Sequence, residues 1–389
     1  MTQEDFRVER DHEFYRWSDD LNVADYIHAT YEVSVRCGDE AAATAMAIAQ
    51  SAGHGQASDG TDTAESASNC VRVVRVSELF DPTPVLLSKE PPSVPDDCIT
   101  GAALRNLSIE LAVPLRLLAG KPAQLFNIFL GAVSRIRQVA VFRLVSANLP
   151  ADFGPGAGFG LAGMRQLAQQ PSGPLLCRSI TSADGSDMSS MVQRSFDALV
   201  GGIHIAKDHE LAAFANFAEF KQHVRAMISA RDAARAKTSG QKLYIANLIC
   251  EPWELSQRWD LCCYLGVDGV FVAPWLQGWG TLSYLARQRK MPILAENTLG
   301  ELFLAQNFGG SMDDSVLTHW LQVLGADFFF SNGQSASHKA STGLPTDQCR
   351  SPSPLVGIVP VLRGENSPDN LVRCREMIGS DDFLLIADY

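Results

Sequence analysis

From about residue 150 onward, eight short apolar runs recur, at 175–179, 203–206, 243–247, 269–273, 293–295, 328–331, 357–361 and 383–386. Most are separated by longer amphipathic stretches, such as 217–238 and 253–265. Short, almost uninterrupted apolar runs read as strands buried on both faces, and strands that alternate with helices build parallel sheets. Eight such repeats predict a closed (β/α)8 barrel of the TIM type. The sequence stops at Tyr389, directly after the eighth run, so the barrel is expected to lack its last helix.

The earlier half follows another rhythm. Residues 26–33 alternate like a strand, and 39–50 form an alanine-rich helix with Asp39 as its expected cap. Residues 51–69, rich in Gly, Ser, Ala and Asp, read as an exposed loop. Strands follow at 71–76 and 104–113, then a helix at 124–133. A β-α-β-β-α order predicts a small α+β, ferredoxin-like domain with one covered sheet face. The expected organisation is an arm at 1–20, this domain at 21–150 and the barrel at 151–389.

Composition narrows the partners. A chain that is 46% hydrophobic and 20% charged can bury a large core. A net charge of -12, with no clustered basic face, argues against nucleic acid or an anionic membrane as partner. No apolar run approaches the ~18 residues of a membrane span, and the charged N-terminus does not resemble a signal peptide. The expected location is cytoplasmic and the expected partner a small-molecule substrate. The nine cysteines form no C-x-x-C pair, which suits reduced thiols rather than a disulfide framework or a zinc site.

One stretch concentrates chemistry: Gly201-Gly202-Ile203-His204-Ile205-Ala206-Lys207-Asp208-His209-Glu210. An apolar strand ends in an amine, a carboxylate, an imidazole and a second carboxylate. Such groups are costly to bury unless they are paired or bind something, and the C-terminal end of a barrel strand is the active-site end.

Phrases on either side carry a resemblance. Ile109-Glu110-Leu111-Ala112-Val113-Pro114 precedes Gln124-Leu125-Phe126-Asn127-Ile128; then come Phe153-Gly154-Pro155, Phe159-Gly160-Leu161 with Arg165, and Pro174-Leu175-Leu176. In this order they resemble the large chain of ribulose-bisphosphate carboxylase (RuBisCO) and its non-carboxylating, form IV relatives. Lys207-Asp208-His209-Glu210 falls where that family has Lys-Asp-Asp-Glu. The resemblance implies a carbamate on Lys207 that binds Mg²⁺ together with His209 and Glu210, and at least a homodimer. An imidazole in place of a hard carboxylate oxygen moves the expected preference towards Mn²⁺ or Zn²⁺.

Other positions depart from the family. Thr181-Ser182-Ala183 stand where it has Lys-Pro-Lys, so its enolising lysines are missing. Glu296-Asn297 replace a His-Arg pair, and Leu362-Arg363-Gly364 and Ala387-Asp388-Tyr389 replace phosphate-cradling backbone. The expected substrate contacts are Thr181, Asn297, Arg363 and Gly364, with Glu296 as general base. Carboxylation of ribulose bisphosphate is not expected. The resemblance implies instead metal-assisted enolisation, isomerisation or decarboxylation of a small sugar-derived acid, as a lyase or isomerase; the alternative is a non-catalytic member kept for binding or assembly.

Weaker signals have plain structural alternatives. Gly158 to Gly163 matches G-x-G-x-x-G but follows a loop rather than a strand, which favours a turn into a helix. Lys339 beside His338 sits where the family has a lid lysine, though a solvated loop lysine is the commoner case. Trp275 and Trp279 are placed at the barrel mouth, and Trp253 and Trp259 are expected to pack within a helix.

Overall fold

The computed structural model describes residues 15–36, 38–53, 69–79, 104–181, 188–304, 309–330 and 357–388. The chain divides into two compact units, Met1–Pro150 with Leu299–Trp320, and Ala151–Thr298 with Leu321–Tyr389. Strands are numbered β1 to β13 in chain order.

The first unit holds β1 (Tyr26–Arg36), β2 (Arg72–Leu79), β3 (Leu104–Pro114), β4 (Val139–Ala147) and β10 (Gly310–Met312). In β1, Ile27, Ala29, Tyr31 and Val33 are buried while His28, Thr30 and Glu32 between them are only partly so, the period-two pattern of a sheet covered on one face. β1 pairs antiparallel with both β3 and β4, and the sheet order is β10-β4-β1-β3-β2. With the helix Ala41–Ala52 after β1 and the helical turns between Pro122 and Arg135 after β3, the first four strands have ferredoxin-like order. Glu40, not Asp39, holds the N-cap position of Ala41–Ala52, and its side chain makes no cap bond. Asp39 instead gives its backbone N–H to the Arg36 carbonyl.

The second unit is the barrel: β5 (Leu175–Ile180), β6 (Ile205–Asp208), β7 (Leu243–Asn247), β8 (Gly269–Val272), β9 (Ile293–Ala295), β11 (Phe328–Phe330), β12 (Val359–Glu365) and β13 (Leu384–Asp388). All pair in parallel and close on themselves, as the eight apolar runs required. Alternate side chains, among them Cys177, Ile205, Ile245, Phe271, Leu294 and Val361, fill the interior. The helix Gly160–Ala168 packs Met164 and Ala168 against that core.

The glycine-rich run before this helix makes a turn, not a nucleotide cradle. The N–H groups of Phe159 and Gly160 donate to Asp327 Oδ1, at 2.6 and 2.8 Å, and Ile293 N–H donates to Oδ2 at 2.9 Å. A single buried carboxylate thus caps the helix and fixes the start of β9. Trp259 packs as expected, with its indole N–H on Gln288, but Trp253 is 80% exposed.

Gly154 lies against the backbone of Val323 and Leu324, where an added methyl would run into the Val323 carbonyl. Gly154→Ala is therefore expected to cost about 1–3 kcal/mol of stability by overpacking, seen as a lower urea midpoint at unchanged slope.

Candidate active site

Strand register decides which groups meet. Ile205 points into the barrel, so two residues on Lys207 does too, while Asp208 points outward. By the same count Glu296 continues the inward row of Leu294, and Arg363 that of Val361. Lys207 lies opposite Ser179 of β5 and Ile245 of β7. Three ionisable side chains on separate strands therefore converge at the C-terminal rim.

Lys207 is fully buried. Its Nζ lies 3.4 Å from Glu296 Oε2, 3.8 Å from Glu210 Oε2 and 3.8 Å from the centre of the Phe271 ring. Arg363, 48% exposed, stands over Phe330 and places one amino group 3.1 Å from Glu296 Oε1 and 3.8 Å from Glu210 Oε1. Two cations and two carboxylates form a closed, neutral ring of charge. Burial of Glu210 opposes its ionisation, but the Lys207 ammonium, a backbone N–H, His209 and Arg363 outweigh that and hold its carboxyl below the usual range. Beneath them, burial pushes the Cys177 thiol up to about 12, with Lys207 pulling the other way. Cys177 is thus a neutral floor residue rather than a nucleophile.

The outward face of β6 anchors the loop that carries His209 and Glu210. The buried Asp208 carboxylate accepts from His223 Nε2 at 2.8 Å, Tyr244 Oη at 2.7 Å and Asn247 N–H at 3.0 Å. Asn247 then donates its amide to the carbonyls of His209, Glu210 and Ala212. His223 reaches Asp208 from the helix Phe217–Lys237, which starts at a true cap: Asn216 Oδ1 accepts the Glu219 N–H. Nothing in the sequence pattern pointed to His223, Tyr244 or Asn247, because their partners are 15 to 39 residues away. The outward alternation of Asp208 after a buried strand was the available signal.

The structure brings Lys207, His209, Glu210, Glu296 and Arg363 together. Asn297 accepts the Trp275 indole N–H at 3.2 Å, and Trp275 meets Trp279 edge to face. The Thr181 carbonyl accepts from the Arg194 guanidinium at 3.3 Å. Gly364 has φ +153°, and its missing side chain leaves room for the Asn370 amide. His338 and Lys339 lie outside the described residues, as do Ser182 and Ala183.

No family model matches the chain. It is 25% identical over 228 residues to a ribulose bisphosphate carboxylase-like protein of Archaeoglobus fulgidus, covering 57% of this chain and 52% of that one. It is 26% identical over 275 residues to a 3-oxo-isoapionate-4-phosphate transcarboxylase/hydrolase of Xanthobacter autotrophicus, covering 70% and 64%. Over 228 residues, 58% of this chain and 55% of the relative, it is 25% identical to a 2,3-diketo-5-methylthiopentyl-1-phosphate enolase of Geobacillus thermodenitrificans. The matches thus span about half to two thirds of these relatives. In fold, 94% of the chain superposes on 88% of a rubisco-like protein from Alicyclobacillus acidocaldarius, with TM-score 0.77 and 22% identity. A dimeric archaeal Rubisco from Hyperthermus butylicus gives 0.80 at 18% identity, over 96% and 87% of the two chains. The chain is similar to RuBisCO-like proteins in sequence and in fold.

That similarity raises the question of a divalent ion held by a carbamate on Lys207, His209 and Glu210. The residues do not fit one as they stand. His209 Nδ1 accepts the Leu211 N–H at 3.1 Å, so in the neutral ring Nε2 carries the proton and has no lone pair for a metal. The Lys207 ammonium occupies the space between the two carboxylates. Among the described residues no three His, Cys, Asp or Glu side chains converge as a cation site.

The Asp208–His223 pair makes stability depend on pH. Burial opposes both charges, but each ion stabilises the other, so Asp208 is held below its ordinary 3.8 and His223 above its ordinary 6.5. The His223 contribution is complete below pH 6.5 and is lost as pH rises through the raised value. The Asp208 contribution is complete above pH 3.8 and is lost as pH falls through the depressed value. Thermal melts should therefore show an alkaline decline in the wild type that His223→Gln flattens. His223→Ala should cost about 3–5 kcal/mol by leaving Asp208 buried without its cation.

Proposed function

We propose that this chain is a non-carboxylating enzyme that moves a proton next to a carbonyl in a small, anionic, sugar-derived acid or phosphate. The outcome is enolisation, isomerisation or decarboxylation. The observation that carries this reading is the meeting of Arg363, Glu296, Glu210 and His209 at the rim of a closed barrel. Names among the relatives, an enolase and a transcarboxylase/hydrolase acting on sugar phosphates, point to the same class of chemistry.

Arg363 is the exposed cation and takes the substrate anion. When its guanidinium turns to that anion it releases Glu296 Oε1, which is then available to accept the proton from the carbon beside the carbonyl. The electron pair of the broken C–H bond passes to the carbonyl oxygen, giving an enolate that is reprotonated elsewhere. His209 Nε2, 3.7 Å from Glu210 Oε2, is a donor on the same rim for that oxygen. Asn297 and Trp275 line the neighbouring rim and Thr181 and Gly364 the strand ends, as further substrate contacts. The ion implied by the resemblance, Mg²⁺ or with His209 Mn²⁺ or Zn²⁺, has no step in this scheme. We further take the working unit to be a homodimer in the cytoplasm.

The test is solvent exchange. Keto-sugar phosphates and keto-acids are incubated with the protein in D₂O, and NMR follows deuterium entering at the carbon next to the carbonyl. Exchange without incorporation of labelled carbon dioxide is expected. Glu296→Gln should slow exchange about 10²–10⁴-fold, the usual contribution of a general base. Arg363→Ala should weaken substrate binding more than it slows turnover. Absence of exchange across the panel would leave a binding protein as the better account.

A further inference from the structure

We infer that Lys207 acts as a permanently uncarbamylated ammonium, the fixed internal cation of this site, and that it positions Glu210 and Glu296 where a related site would use a bound metal ion. Three observations meet here. The first is place: Nζ lies within 3.8 Å of a carboxylate oxygen on each side, 3.4 Å from Glu296 and 3.8 Å from Glu210, with no exposed surface. A cation is already present where a divalent ion would have to bridge those oxygens.

The second is the floor of the site. Nζ stands 3.8 Å above the centre of the Phe271 ring, whose negative face attracts an ammonium and repels an anion. A carbamate would put a third negative group between Glu210 and Glu296, on that same face and out of water, where like charges repel most strongly. The third is His209. Its Nδ1 lone pair is committed to the Leu211 N–H, so a metal could bind this ring only after the loop contact or the proton on Nε2 is given up. Lys207 is therefore a positioning residue: it holds both carboxylates aligned, while Arg363 changes partner when substrate binds.

The activity arm of the test rests on the proton-transfer reading; the spectroscopic arm does not. Wild-type protein is equilibrated with ¹³C-bicarbonate and Mg²⁺, Mn²⁺ or Zn²⁺ in turn. Carbamate is sought by ¹³C NMR with the diamagnetic ions and by chemical trapping and mass spectrometry of the Lys207 peptide with all three; bound metal is counted after desalting. The expected result is no carbamate on Lys207, no retained metal and no metal-induced rise in melting temperature. A carbamate on Lys207 that increases with any of these ions overturns the inference.

Arginine keeps the charge but cannot carry the carbamate, so Lys207→Arg and Lys207→Met separate the two roles. Lys207→Arg should retain D₂O exchange within about tenfold of wild type, while Lys207→Met loses about a hundredfold or more, the scale of an electrostatic contact removed from a dry site. If both variants melt like the wild type and Lys207→Arg is as slow as Lys207→Met, the inference fails. If wild type shows no exchange at all, the proton-transfer reading fails, and the carbamate and metal measurements still decide the role of Lys207.

Discussion

A fully buried ammonium between two carboxylates is the interaction on which the rest of this site depends. Taking Lys207 out of water is tolerable only because Glu210, Glu296 and the Phe271 ring replace its hydration. Each carboxylate is in turn steadied by Arg363 from the solvent side. Removing any one member leaves an unbalanced charge in a poorly solvated space, and such a loss costs more than the pair contributes when intact. The ring is thus cooperative, and the geometry of the rim follows from charge neutrality within it.

Strand β6 serves two layers at once. Its inward residue enters the charge ring; its outward neighbour, Asp208, ties the strand to the helix Phe217–Lys237 through His223 and to β7 through Tyr244 and Asn247. Because the side-chain period of a strand is two, a register slip by one residue would exchange these roles and bury the wrong charge in each layer. The Asn247 amide extends the same anchorage to the loop backbone, so that His209 and Glu210 sit on three accepted hydrogen bonds rather than on a free loop. A site at the tip of a strand gains its precision from this outer network.

The barrel was legible because each of its strands is an apolar run buried on both faces, a signal that survives without knowledge of partners. β4 was less visible: Phe142 and Leu144 alternate, but the next buried residue is Ala147, three positions on, so the period is weak. β10 could not be read at all. It is Gly-Ser-Met, and it exists because Gly310 lets the Phe142 ring lie against its backbone as the two strands pair. Of the site, the five ionisable or polar rim residues were found by the pattern after β6 and by resemblance at β9 and β12. What sequence could not supply was the pairing. Whether Lys207 faces a metal or a carboxylate depends on Glu296, which lies 89 residues away.

Two exchanges relative to the family pattern are physically one change. An aspartate on the β6 loop of the resembled pattern is His209 here, and a histidine after β9 is Glu296. The number of carboxylates is unchanged, but one has moved from the solvent-facing loop, where it would help hold a divalent ion, to a buried strand end, where it neutralises an amine. The His209 ring orientation is fixed by the Leu211 N–H. On the reading proposed above, such a relocation trades an exchangeable external cation for one carried on the chain. On the same reading, a fixed base and an anion clamp on this rim are the two elements that proton transfer beside a carbonyl requires.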